Sequence, residues 1–232
     1  MVTVTNNGNY PQQPLNFDNT YLPDQLIAGV YPRVTQNAIV PTSATLNGST
    51  SLPRGTVMGT RSVGAVTAAA VSGNTGNGTS SVPALASAQV QTGVYQVKFT
   101  AATTFNVFDP KGRELKPGNT GVAYSDDISF TITAGGTAFV AGDGFNMTVA
   151  AGDGKYVPSV ATVFDGSQNP NSILVDFVDT TVTNPNTGVY LTGEFNQNAI
   201  SFDSSWTVAA LTPLLAAKNI WLKTAVIAAD PS

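Results

Sequence analysis

Asp126 and Asp127 are the one adjacent pair of acidic residues in this 232-residue chain. Two carboxylates about 5–10 Å apart across a cleft are what glycoside hydrolysis needs. Neighbours along a strand point to opposite faces, so this pair reads as a strand-edge turn ahead of ISFTIT. Asp176, Asp179 and Glu194 are a second set that a fold could gather, though nothing in their spacing requires it. Asp143 and Asp153 each sit in an AGDG, at 141–144 and 151–154. Carboxylates beside glycines suggest a calcium-loop fragment, but the dense D-x-[DN]-x-[DN]-G ligand run is missing, and two similar hairpin turns explain the echo. GNTGNG at 73–78 lacks the Lys and the following helix of a phosphate loop, and reads as flexible or turn-dense punctuation. Lys98, Lys111, Arg113 and Lys116 read as solvated turn and strand positions.

The chain has no His and no Cys. Imidazole bases, thiol nucleophiles, disulfides and nearly all zinc chemistry are therefore missing. No GxSxG and no SxxK set is present. The expectation is a protein without catalysis, metal or cofactor. Charged residues make up only 10%, against an average of about 25%, and the net charge is −4. With no basic cluster, direct contact with nucleic acid is not expected. A neutral, Asn/Thr/Ser/Gly-rich surface suits close-packed β structure and extensive protein contact. No apolar run approaches the ~20 residues of a membrane span, and the start lacks the basic and apolar regions of a signal peptide.

The elements that must position these residues are mostly strands. Val34, Ala38 and Val40 recur between turns; Asn47-Gly48 is a turn signal and Val57-Met58 a short strand. From residue 62 the chain becomes rich in small residues. GVYQVKF at 93–99 alternates, with Tyr95, Val97 and Phe99 on one parity, and TTFNVFD repeats the pattern through Phe105 and Val107. ISFTIT and FNMTVAA follow as strands, with DPKGREL and AGGTAFVAGDG as turns, so residues 90–150 read as a small antiparallel β module. Later, GKYVPSVATVFDG reads as a β stretch ending in the Asp165-Gly166 turn, Ile173 to Val178 as one strand, and GVYLTGEFN as another. Thr212-Pro213 looks like an N-cap with Pro at the first helical position, opening a short helix through Ala217 that Asn219 ends; IWLKTAVI closes as a strand.

Residues 1–25 form a polar arm holding Tyr10, Leu15, Phe17, Tyr21 and Leu22 among Asn, Gln and three prolines. Such a stretch cannot bury enough apolar surface to offset an ordering cost of roughly 1–2 kcal/mol per residue, so it is expected to order only on a partner.

Two stretches together resemble a known family. The segment LIAGVYPRVTQNAIV…SLPRGTVMGT, through Leu52, Arg54, Gly55, Thr56, Val57, Met58 and Gly59, is similar to the opening of the lambda-type phage head decoration proteins. GKYVPSVATVFDGSQNPNSILVDFVDT…GVYLTGEFNQNAI is similar to that family's second half, through Asp165, Gly166, Pro170, Ile173, Leu174, Val178, Asp179, Gly193 and Phe195. The resemblance covers roughly 26–61 and 152–228. It implies a mainly β fold: a small β-rich decoration core of residues 26–61 and 152–232 with one or two short helices, interrupted by an antiparallel β-sandwich-like module at 62–151. It implies a non-enzymatic, cofactor-free homotrimer on the outer surface of the virion, assembled in the host cytoplasm. Such a trimer would sit at three-fold and quasi-three-fold sites of an expanded shell and cement neighbouring major capsid subunits against DNA pressure. Tyr10, Leu15, Phe17, Tyr21 and Leu22 would anchor the arm to the shell, with no nucleic acid or membrane involved. The alternative is a fibre- or spike-like β protein whose inserted module binds a host surface or glycan.

Overall fold

A computed structural model of the chain describes residues 26–181 and 185–224. Seventeen strands and one helix follow in order: β1 (Val34–Ile39), β2 (Ser51–Leu52), β3 (Val57–Thr60), β4 (Val63–Ala70), β5 (Thr79–Ser80), β6 (Ala84–Leu85), β7 (Gly93–Phe99), β8 (Thr104–Phe108), β9 (Gly118–Asn119), β10 (Ala123–Ser125), β11 (Ile128–Thr133), β12 (Gly144–Ala151), β13 (Tyr156–Pro158), β14 (Pro170–Leu174), β15 (Val178–Asp179), β16 (Asn186–Asn196), α1 (Val208–Ala216) and β17 (Ile220–Lys223). The protein is mainly β, as its alternation predicts.

One sheet takes its strands from both ends of the sequence, in the order β1-β16-β14-β3-β13, with β17 added in parallel to the second half of β16. Its two faces bury different clusters. Met58, Leu174 and Val189 pack on one side with Ala38, Val40 and Leu52. Val57, Ile173 and Phe195 pack on the other with Leu211 and Leu215 of α1 and Ile220 of β17. Successive residues of one strand thus serve opposite faces, as the period of two requires.

Residues 63–151 build a second region. A five-stranded antiparallel sheet β4-β12-β7-β8-β9 and a smaller one, in which β11 pairs β10, β5 and β6, enclose one cluster. Tyr95, Val97 and Phe99 of β7 are buried while Val94, Gln96 and Lys98 face solvent, and Phe105 and Val107 of β8 are buried. The cluster is aromatic: Phe99 stacks on Phe139 with centroids 4.0 Å apart, and Tyr124 on Phe130 at 4.9 Å. AGGTAFVAGDG, read as a turn, therefore carries a core residue, Phe139. A Cβ at Gly76 would lie 2.5 Å from the Phe139 ring, so that position admits nothing larger than glycine.

The two regions join through a two-stranded ribbon. The β3–β13 ladder runs on through Arg61 N to Lys155 O (3.0 Å) and Gly152 N to Ser62 O (3.0 Å) into the β4–β12 ladder. Arg61 Nε donates to Asp153 Oδ1 at 3.1 Å, and Ser62 N and Val63 N both donate to Asp165 O at 2.9 Å.

Three expectations change. The strand at 156–166 stops at Pro158, and Ser159 Oγ donates to Ser167 O (2.7 Å) to hold a loop that reaches the Asp165-Gly166 turn. The run from Ile173 to Val178 is two strands, β14 and β15, broken where Phe177 turns outward and its N–H donates to Asp176 Oδ1 (2.8 Å). The helix starts at Val208, capped by Thr207, whose Oγ1 accepts from Ala210 N (3.2 Å). Pro213 is inside it. The carbonyl that loses its partner to Pro213 belongs to exposed Ala209, so water can satisfy it. Asn219, with φ 60°, ends the turn as expected.

Candidate functional site

The carboxylates that could have done chemistry are dispersed, and each is used locally. Asp127 is buried and accepts from Tyr95 Oη (3.1 Å) and Ser87 Oγ (3.3 Å); burial pushes the Tyr95 phenol up to about 12. Asp109 accepts from Arg113 N (2.8 Å), Lys111 N (2.9 Å) and Arg113 Nε (3.1 Å). Burial opposes its ionisation, but these donors, Arg113 foremost, hold its carboxyl below the usual range.

The two AGDG sequences do different work. Asp143 accepts from the N–H groups of Thr75 (2.9 Å), Gly76 (2.9 Å) and Val140 (3.0 Å). Thr75 N–H is the largest influence holding its carboxyl low, against the opposing effect of burial. Asn74 adds a reciprocal pair with Gly144, so GNTGNG is a pinned loop. Asp153 is an ion-pair partner of Arg61 and Lys155 at the ribbon. Asp176 accepts from Phe177 N, Asp179 from Thr181 N and Oγ1, and Glu194 pairs with Lys223, so this set is not brought together. Among the described residues no group of His, Cys, Asp or Glu could hold a metal ion, and no helix is long and apolar enough to cross a membrane. Lys98 lies 5.2 Å from the Phe108 ring centroid and Lys116 5.5 Å from that of Tyr124, while Arg113 pairs with Asp109.

The motif residues of both resembling stretches are architectural. Leu52, Val57, Met58, Ile173, Leu174 and Phe195 are fully buried. Arg54 Nε donates to Val175 O (2.9 Å) and Thr56 Oγ1 to Pro53 O (2.6 Å). Gly55 has φ 87° and a Cβ there would lie 2.9 Å from Ala199 O, while a Cβ at Gly59 would lie 2.3 Å from Ser167 O.

What remains as a candidate surface is the end of the large sheet around Thr192–Phe195. Leu26–Ala28 runs along β16: Asn196 N donates to Leu26 O (2.9 Å), Ala28 N to Glu194 O (3.0 Å), and Ile27 bridges Phe195. On the other side Gln197 N donates to Lys223 O (2.9 Å). Both ends of the described chain therefore leave from one place. Glu194 ties them: it pairs with Lys223 Nζ at 2.5 Å and accepts from Tyr31 N at 3.3 Å, and Lys223 is the chief influence holding its carboxyl low. Here the chain exposes apolar groups, Val30 (99% exposed), Val34 (50%), Trp221 (40%) and part of Tyr31. Sequence reasoning missed them, because an apolar residue in a strand pattern reads as core unless the strand is known to be an edge. Tyr10, Leu15, Phe17, Tyr21 and Leu22 lie outside the described residues.

Residues 115–218 match the family model described as bacteriophage lambda head decoration protein D. The match spans somewhat under half the chain. It includes most of the second resembling stretch and the later part of 62–151, and does not reach 26–61. Two crystal structures of FlgL from Xanthomonas campestris are also similar, at 25% and 26% identity over 43% and 48% of this chain, each with a TM-score of 0.33. The chain spans about a third of the length of those FlgL chains (33% and 36%), and overlap this low carries no argument about fold or function. No curated protein sequence matches the chain. The chain resembles the phage lambda head decoration family, over residues 115–218.

Proposed function

We propose that this protein decorates the head of a phage. The family match carries the reading, and the mainly β fold and the scarcity of charge support it. In this reading three copies sit at three-fold and quasi-three-fold sites on the outside of an expanded shell. They bridge neighbouring major capsid subunits and resist internal pressure without catalysis or cofactor.

The division of labour follows the two regions. Residues 26–61 and 152–232 form the shell-bound core, and 62–151 is an inserted module carried on the two-stranded ribbon at Arg61 and Asp153. The arm supplies the contact. Each large apolar side chain it buries contributes roughly 1.5–3 kcal/mol, so Tyr10, Leu15, Phe17, Tyr21 and Leu22, together with main-chain pairing to a capsid strand, offset the ordering of a short stretch and leave a modest surplus. Three arms on one trimer raise the effective concentration of each, which multiplies that surplus. The arm's root at Leu26 is fixed to β16, so tension on it is delivered to the large sheet.

The test is co-sedimentation with expanded, undecorated shells assembled from the major capsid protein of the same phage. Intact protein should pellet with the shells and saturate. Protein lacking residues 1–25 should stay folded and lose shell binding by orders of magnitude. Equal binding without the arm would remove it from the mechanism, and no binding by the intact protein would remove the decoration reading.

A further inference from the structure

The outer edge of β1 is unusually open. Among the described residues β1 is the last strand of the large sheet and pairs with β16 alone. Its sequence, VTQNAI, contains no charge, proline or glycine, and Val34 and Ile39 are each about half exposed. Natural sheets guard such edges with charges, prolines or bulges that face the open side, because unpaired N–H and C=O groups template another strand. Which groups face out follows from the inward bond of Val40 N to Pro185 O (3.0 Å), counted back along the strand to Thr35, where the register shifts next to Val34. Directions alternate along a strand, so Thr35, Asn37 and Ile39 present their N–H and C=O outward.

We propose that this edge accepts the N-terminal segment of a second copy of the same chain, through the run Val2-Thr3-Val4-Thr5. The run is an uncharged alternation of β-branched residues and matches the uncharged edge. The exit of the chain selects a second copy over the segment's own subunit. Leu26–Ala28 and β1 follow one another along β16, with Leu26 beside Asn196 and Ile39 opposite Asn186. Leu26 therefore lies at the Asn196 end of β16, with its own β1 edge farther along that strand toward Asn186. Twenty extended residues span at most roughly 70 Å, enough to reach a neighbouring molecule. Each copy offers one donor run and one acceptor edge, so the contact is head-to-tail, and in the three-copy arrangement proposed above it closes as a ring. The inference goes beyond shell binding, which uses Tyr10 to Leu22 and leaves both the run and the edge without a role.

The chain has no cysteine, so a single engineered thiol reports unambiguously. Val4→Cys protein carrying a nitroxide, unlabelled in nitrogen, is mixed without shells with 15N-labelled wild-type protein. The proposal expects selective broadening of the Thr35, Asn37 and Ile39 amides in the labelled copy, and none at Ile128 in the other region. The same mixture with 15N Asn37→Pro protein, which lacks one outward N–H while keeping the inward ones, should lose the broadening by tenfold or more. Broadening that is absent, uniform, or seen only when spin label and 15N are on one chain overturns the proposal. So does undiminished broadening in a folded Asn37→Pro protein. Because no shell is present, failure here is distinct from failure to decorate.

Discussion

The region at 63–151 and the large sheet solve the same packing problem differently. The first encloses one cluster between two sheets, dominated by rings: Tyr95, Phe99, Phe105, Tyr124, Phe130, Phe139 and Phe145. The second is a single sheet that buries both faces, under loops on one side and under α1 on the other, mostly with aliphatic side chains. The first also fixes its turns with buried carboxylates, Asp109, Asp127 and Asp143. The large sheet has none of these among its described buried residues; its buried polar groups are hydroxyls and an amide, such as Thr56, Ser172, Thr180 and Asn196. On the proposed division, a region whose core and turn anchors are its own should be removable at the ribbon. A sheet assembled from both ends of the sequence depends on every segment that covers it.

The sharpest way to break that contrast is to cut into one core and watch the other. Phe139→Ala should cost about 3–5 kcal/mol, lowering hydrogen-exchange protection of β7 and β12 while leaving that of β14 and β16 unchanged. Equal loss in both sheets would mean one cooperative unit. Leu211→Ala should do the converse, costing about 2–5 kcal/mol and acting on β14, β16 and β17. The double variant should show additive losses in separate regions.

Acid should separate the regions next. The Asp143 and Asp109 carboxyls lie below the ordinary range in the folded state. Their stabilisation is fully present above the unfolded value, about pH 4, and is lost as pH falls through the lower folded values. The urea midpoint of the 63–151 region should therefore fall on acidification below about pH 4. Asp143→Asn should be less stable than the parent at neutral pH, with the gap closing in acid. A gap that widens in acid would contradict the assigned role. The smallest effect is expected at the helix: Thr207→Ala removes the cap on Ala210 N and should cost about 1 kcal/mol, confined to the large-sheet region.

The same contrast governs what the sequence made legible. β7 and β8 alternate because one face meets the aromatic cluster and the other meets water, so their residues declare their side. In the large sheet both faces are buried, which erases the alternation in β14 and hides its break at Phe177. The Thr212-Pro213 pair imitated a helix start because the true cap, Thr207, lacks an acidic residue in the first turn to reinforce it. Phe139 sits among glycines, and only its partner Phe99, distant in sequence, gives it a role. The carboxylate candidates were legible as residues, but Asp143 was not legible as an anchor, since the Thr75 and Gly76 N–H groups it holds come from a loop remote in sequence. The exposed apolar groups near Glu194 follow from the sheet order, which no local pattern encodes.

The most direct measurement is a saturation titration of expanded, undecorated shells with the intact protein and with a variant in which a Gly-Ser bridge replaces residues 64–150. Bound copies per shell are counted for each. The predicted result is one shared saturation number with similar affinity, because the proposed contact is made by the arm and the large sheet and not by the 63–151 region. Binding of neither protein would contradict decoration, and binding of the intact protein alone, with the variant folded, would place the contact in the region removed.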